Sequence, residues 1–281
     1  MRWSGLRLSV SLLTVIPLRS TVPPASAAVP GAGAQDRPPL APATVAAAMA
    51  WAPAVGLLLG VAAGAVLLIT DHLLGTGSLT AAGLAVASLA LLSRGLHLDG
   101  LADLADGLGS GKPAAGALEV MRRSDIGPFG AVTLILTLLI QVAALSHAEA
   151  TGPGRGAAAL ITAVVTGRLA ITWACRPGVA PARPDGLGAL VAGSVRTPVA
   201  AAVTVAVLGA AVAAVTISAT ATGEPLGWTL PLAVITGLSA GFIMQRHAVR
   251  RLGGITGDVL GALAEVAATV ALLVAAIGPP A

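Results

Sequence analysis

Asp99, Asp103 and Asp106 stand at i, i+4 and i+7 in the run HLDGLADLADG. On a helix advancing 100° per residue they fall at about 0°, 40° and −20°, one narrow stripe. Carboxylates set side by side repel, and out of water they take up protons unless a cation neutralises them. Oxygen ligands of this kind suit a hard divalent ion, Mg²⁺ first, which keeps part of its water and reaches substrate phosphate as well. Gly100, Gly107, Gly109 and Gly111 thin the backbone around the stripe and Lys112 follows, so a phosphate can approach closely. The surrounding stretch 94–130 holds five of the twelve acidic residues in a chain otherwise dominated by Ala, Leu, Val and Gly. Spacing alone also permits a solvated acidic turn between two membrane spans.

A second acidic pair follows a glycine-rich run. In RHAVRRLGGITGDVLGALAEV, Asp258 and Glu265 are i, i+7 on one helix face, and the glycines before them let backbone approach a ligand. Between the two groups lies ARPDGLGALVAG, with Arg183 and Asp185. Two acidic stripes opposed by arginines such as Arg122, Arg123 and Arg183 describe a cavity for Mg²⁺ and polyphosphate, because arginine grips phosphate oxygens bidentately. Arg168 falls inside an apolar stretch, where a charge is costly and faces a polar interior, so it is expected to line the site. His97 lies about 160° from the Asp stripe, which favours packing or a supporting hydrogen bond over a ligand role.

The elements that must position these groups are membrane helices. Charged residues are 10% where a soluble domain carries roughly 25%, and hydrophobic residues are 56%. The pI near 10.9 looks like a nucleic-acid signal. The formal excess is only +4, however, and no basic run is interleaved with aromatics, so no nucleic-acid partner is expected. A single cysteine, Cys175, excludes an internal disulfide and a cysteine metal site, and reads as an apolar filler at a helix end. Seven apolar stretches, at about 47–70, 77–98, 130–148, 156–176, 199–219, 228–246 and 261–278, each approach the ~20 residues a bilayer core requires. The expected fold is therefore all-α, a polytopic bundle of about seven transmembrane helices forming one membrane domain over 1–281. Residues 1–46 form its N-terminal cytoplasmic segment and 94–130 its catalytic loop and helix ends. Pro53 and Pro231 are expected to kink their spans, and small residues to let helices pack closely.

Basic residues set the orientation. With the first loop inside, the inner face carries Arg2, Arg7, Arg19, Arg37, Lys112, Arg122, Arg123, Arg176, Arg183, Arg196, Arg246, Arg250 and Arg251, and the outer loops only Arg155. That bias places the chain in the cell membrane with its polar loops facing the cytoplasm. Arg94 and Arg168 are left within spans, and Asp71, Glu149 and Glu224 in short outer loops, where a solvated role is expected. Arg2 and Arg7 before LSVSLLTVIPL, with Ala-Ser-Ala-Ala at 25–28, imitate a secretory signal. Pro17 interrupts that run and Arg19 and Arg37 continue the basic character, so the segment is expected to be retained.

HLDGLADLADG resembles the corresponding motif of the cobalamin synthase family, the membrane-bound adenosylcobinamide-GDP ribazoletransferases. Three further segments resemble family motifs in the same order: ALEVMRRSDIGPFGA, ARPDGLG and LGGITGDVLGALAEV. The opening LLTVIPLRS is also similar to the family's short apolar run ending in Leu-Pro, so the resemblance covers nearly the whole chain. It departs where the family flanks a serine by Asp and then Arg; here Arg123 and Asp125 flank Ser124 in reversed order, which unfixes the role of either side chain. The resemblance implies attack by the ribose 3′-hydroxyl of α-ribazole, or of its 5′-phosphate, on the cobinamide-linked phosphorus of adenosylcobinamide-GDP. The products are adenosylcobalamin, or its phosphate, and GMP. On this reading Asp99, Asp103 and Asp106 hold Mg²⁺, Asp103 or Asp106 accepts the hydroxyl proton, and Arg94, His97, Lys112, Arg122, Arg123, Arg168, Arg183, Asp258 and Glu265 bind substrate. It leaves room for a homo-oligomer or a complex with other cobalamin-assembly enzymes. A CDP-alcohol phosphotransferase also presents Asp and Gly on a cytoplasmic helix, but its motif has Ala-Arg where this chain reaches Asp103. A cation transporter buries its carboxylates near the bilayer middle, whereas these cluster at one surface.

Overall fold

The computed structural model describes residues 2–16, 18, 40–152, 154–222 and 227–277. Its helices are α1 (Arg2–Leu13), α2 (Pro42–Ala50), α3 (Ala52–Leu68), α4 (Ser78–Leu92), α5 (Leu96–Gly109), α6 (Ala114–Val120), α7 (Pro128–Ala150), α8 (Arg155–Ala174), α9 (Gly186–Val191), α10 (Thr197–Thr222), α11 (Thr229–Leu252) and α12 (Gly257–Ala275). A π-helical turn, Ile69–Leu73, prolongs α3. No strand forms among the described residues beyond one isolated bridge between Pro181 and Ile255.

Among the described residues six helices are long and apolar enough to cross a bilayer: α3 with its π turn, α7, α8, α10, α11 and α12. We take α4 as the seventh crossing. After it the chain bends by 88° and α5 runs across the end of the bundle rather than along it. The apolar stretch expected to continue to residue 98 therefore stops at Leu92. The cause is local: Arg94 and Gly95 take consecutive left-handed conformations, φ 56° and 67°. Glycine adopts that region freely, whereas in Arg94 it is strained. Arg94 is thus an exposed residue of the bend and not a charge inside a span.

Pro53 and Pro231 do not kink anything. Each lies in the first turn of its helix, α3 and α11, where the missing N–H has no intrahelical partner to lose.

α8 is the most enclosed of the crossing helices, and α7 and α10 are the most exposed. Missing side chains bring its neighbours close. A Cβ at Gly60 of α3 would stand 3.0 Å from the Ile161 Cα, and one at Gly167 of α8 would stand 2.5 Å from the Ala264 carbonyl oxygen of α12. Small-residue contact of this kind is how helices associate where lipid offers no hydrophobic driving force.

The starts of α3, α7 and α12 and the ends of α4, α8 and α11 meet at one end of the bundle. Thr172 Oγ1 donates to the Met49 carbonyl at 2.7 Å, and Arg176 Nη1 to Gln245 Oε1 at 2.9 Å. The N-terminal apolar run folds here too: α1 buries Leu8, Val10 and Leu13, and the Val15 N–H donates to the Leu92 carbonyl at 2.7 Å. Pro17, Arg19, Arg37 and the Ala-Ser-Ala-Ala run lie outside the described residues. Cys175 is buried just past α8, and burial pushes its thiol up to about 12, consistent with an inert filler. At the opposite end Glu149, expected in solvent, is 4% exposed; Glu224 lies outside the described residues.

Candidate active site

Gly100 sets the geometry. A Cβ there would lie 2.6 Å from the carbonyl oxygen and 3.0 Å from the Cα of Asp258, so α5 rests directly on the first turn of α12. Asp99 and Asp103 flank Gly100 along α5, and the contact brings the two acidic segments, about 150 positions apart in sequence, to one place. Within α12, Thr256 caps the helix: its Oγ1 accepts the Val259 N–H at 3.2 Å and its hydroxyl donates to Asp258 Oδ2 at 3.2 Å. This explains Thr-Gly-Asp as a unit, because the cap that starts the helix also holds the carboxylate.

The glycine-rich loop before α12 clamps the segment that carries Arg183. Ile255 N–H donates to the Ala180 carbonyl and Ala182 N–H to the Ile255 carbonyl, both at 2.9 Å. Arg183 follows immediately. Its Nη2 donates to the Leu118 carbonyl at 2.7 Å, while its Nε is buried with no hydrogen-bond partner. A fixed guanidinium with one unsatisfied N–H is a donor waiting for an acceptor.

Beside these groups opens a cavity of about 400 Å³. Asp99, Asp258, Arg183, Arg122 and Asp185 line its polar side, and Leu12, Leu13, Met49, Leu96 and Ile171 its apolar side. Arg122 Nη2 reaches both oxygens of Asp185, at 3.2 and 3.4 Å, across the exposed rim. The leucines of α1 and the Thr256 cap were not anticipated from sequence. The packing of α1 beside loops distant in sequence leaves no local signal, whereas Thr before Gly-Asp is a readable N-cap.

Asp103 sits behind the cavity wall. Burial first, then the neighbouring Asp99, Asp258 and Asp106 carboxylates, raise its carboxyl from 3.8 to about 7, with Arg183 opposing. The folded protein therefore binds more protons here than the unfolded chain. The contribution of Asp103 to stability is largest below its ordinary value and is lost as pH rises through about 7. Chelator-treated protein is expected to lose thermal stability across that window, and Asp103→Asn to flatten the decline; an unchanged slope in the variant would remove Asp103 as its source.

The third member of the stripe does something else. Asp106 is buried, its Oδ2 accepts the Gly127 N–H at 2.7 Å, and its Oδ1 accepts the Gly130 N–H at 2.9 Å. It thus satisfies free amides at the start of α7, where a negative charge is favoured. Both glycines are required, because a Cβ at either would collide with that carboxylate. Asp106 thus joins α5 to α7, and with one N–H on each oxygen it keeps a further acceptor site on each.

Three other expected site residues form a separate polar group deeper in the bundle. His97 is buried, with Nδ1 3.4 Å from Arg168 Nη2. Arg168 and Glu265 line a cavity of about 40 Å³ with Gln141, which donates to Glu265 Oε2 at 3.0 Å. Glu265 shares a face with Asp258 but lies about 10 Å farther along the axis, at 1.5 Å per residue. Of these residues only His97 also borders the larger cavity. Lys112 and Arg123 are exposed outside it.

Among the described residues, no three carboxylates of this site bring an oxygen each within 4.8 Å of one another.

The chain matches the family model described as cobalamin-5-phosphate synthase over residues 5–276. It is 42% identical to the adenosylcobinamide-GDP ribazoletransferase of Frankia casuarinae, covering 98% of this chain and 95% of that protein. It is 38% identical to the protein of the same name from Bradyrhizobium diazoefficiens, covering 97% and 93%. No solved structure matches. With the motifs on α5, α9 and α12 converging on one cavity and the match running from α1 through α12, the chain belongs to the cobalamin-5-phosphate synthase family.

Proposed function

We propose that this chain transfers the adenosylcobinamide phosphoryl group from adenosylcobinamide-GDP to α-ribazole or α-ribazole 5′-phosphate, releasing GMP and adenosylcobalamin or its 5′-phosphate. The observation that carries this reading is the meeting of Asp99, Asp103 and Asp258 beside Arg183, whose Nε is buried without a partner. Clustered carboxylates beside a guanidinium suit a metal-bound diphosphate, which brings a cation and phosphate oxygens together.

The donor set fits Mg²⁺, and we assign Asp103 and Asp258 to hold it, because both lie at the α5–α12 contact and the charge of Asp258 acts on Asp103. Bound there, Mg²⁺ offsets the charge of the diphosphate and of the transferring phosphoryl group. Arg183 donates Nε–H to a non-bridging phosphate oxygen, its orientation set by Leu118. Asp99 is exposed at the cavity wall and accepts the proton of the attacking ribose hydroxyl as the new O–P bond forms and GMP departs with the electrons of the broken P–O bond. This moves the general base from Asp103 or Asp106 to the stripe member a substrate can reach. Leu12, Leu13, Met49 and Ile171 receive the aromatic base of α-ribazole on the apolar wall. Arg122 and Asp185 close the rim, and His97, Arg168 and Glu265 hold the helices around the site rather than touching substrate.

The site end of the bundle carries Lys112, Arg122, Arg123, Arg183, Arg250 and Arg251 while Arg155 starts α8 at the other. This supports a site facing the cytoplasm of the cell membrane. The test is turnover by purified protein in detergent: adenosylcobinamide-GDP and α-ribazole should give cobalamin and GMP in equal amounts, with Mg²⁺ required. Release of GDP, or of GMP without cobalamin, would overturn the reading.

A further inference from the structure

At the end of the bundle away from the cavity, Asp71 and His72 lie in the π-helical turn that closes α3, and Glu149 lies in the last turn of α7. His72 Nε2 is 2.8 Å from Glu149 Oε1, and one ligand atom from each of the three residues falls within 4.8 Å of the others. Nitrogen and oxygen ligands about 2.0–2.2 Å from an ion stand at most about 4.4 Å apart, so side-chain adjustment alone closes the group around a metal.

The second observation concerns Glu149. Its side chain is 0% exposed, and Oε2 has no hydrogen-bond partner. Gly156 of α8 packs against that oxygen, and a Cβ there would collide with it. A salt bridge to His72 accounts for one oxygen and leaves the other buried and unsatisfied, an arrangement native structures avoid unless water or an ion completes it. Asp71 and His72 lie in the π turn, and such turns recur at functional sites.

We propose that Asp71, His72 and Glu149 bind a divalent transition-metal ion of the Zn²⁺ class, at a site distinct from the Mg²⁺-phosphate cavity. Imidazole with two carboxylates suits Zn²⁺ and its neighbours over Mg²⁺, whose ligands are oxygens. Three protein ligands leave a position open, and the His72 side chain is 46% exposed, so water takes it from the solvent side. The ion ties the end of α3 to the end of α7 and gives the orphaned carboxylate oxygen its missing partner.

Full-length protein in detergent, stripped with chelator, is titrated with Co²⁺ and followed by its visible d–d absorption, in the presence of excess Mg²⁺. The expected result is one equivalent bound, displaced by Zn²⁺ and retained in Asp103→Asn. His72→Ala and Glu149→Gln should each weaken binding about tenfold or more. Because Glu149 is buried and its variant is at risk of misfolding, Asp71→Asn serves as the isosteric control and should weaken binding while the protein elutes as wild type. Wild-type affinity in folded Asp71→Asn, or loss of the same equivalent in Asp103→Asn, would overturn the proposal.

Discussion

Asp103→Asn is expected to lower turnover about a thousandfold or more while the protein stays folded and, without metal, becomes more stable at neutral pH. The two halves of this expectation share a cause. Asp103 is partly buried and neighboured by the Asp99, Asp258 and Asp106 carboxylates, with Arg183 opposing, so its charge is unfavourable in the metal-free protein and removing it relieves desolvation and repulsion. That same unfavourable charge is the attraction for a cation. A metal ion stabilises transferring phosphoryl charge by several kcal/mol, and each 1.4 kcal/mol is about tenfold in rate. The check pairs initial rates over a Mg²⁺ titration with thermal unfolding in chelator. A variant that loses stability and activity together would instead mark Asp103 as a packing residue.

Arg183→Met is expected to cost about 10²–10³ in kcat, the usual loss when one preorganised donor to a developing oxyanion is removed. Arg183→Lys should recover little of it. The guanidinium uses Nη2 to hold the Leu118 carbonyl at 2.7 Å while Nε has no partner in the protein; if Nε serves the substrate as proposed, a single ammonium cannot serve both directions from the same place. Losing the Leu118 bond costs one hydrogen bond, about 1 kcal/mol of stability, so the variant should still fold. Full rescue by lysine would show that Arg183 acts as a diffuse positive charge rather than as an oriented donor.

What the sequence made legible was pattern on one element at a time. Six of the seven apolar stretches became helices long enough to cross a bilayer, and the remaining one is divided between α4 and α5 by the 88° bend. The Asp stripe lies on a helix, as spacing required, and His97 points away from it, buried against Arg168. What it hid was anything supplied by another element. The apolar character of 77–98 is continuous, yet two left-handed residues at 94 and 95 end the span early, and only Gly95 hints at this. Asp106 looked equivalent to Asp99 and Asp103 because helical angle says nothing about Gly127 and Gly130, whose amides capture it from more than 20 positions away. Glu265 shares a face with Asp258 but not a depth, and the i, i+7 rule records only the face. Glu149 sits among loop residues in the sequence and is buried in the fold because Gly156 leaves room for it.

The central claim is that carboxylates from α5 and α12 act on one ion and one diphosphate. It is tested most directly by a double-mutant cycle on Mg²⁺-dependent substrate binding, measured by calorimetry for wild type, Asp103→Asn, Asp258→Asn and the double variant. If both hold the same ion, the first substitution already removes most of what the second could remove, so the double variant should be much less impaired than the sum of the two single losses in binding free energy. Strictly additive losses would mean two independent sites, with the Gly100 contact reduced to helix packing.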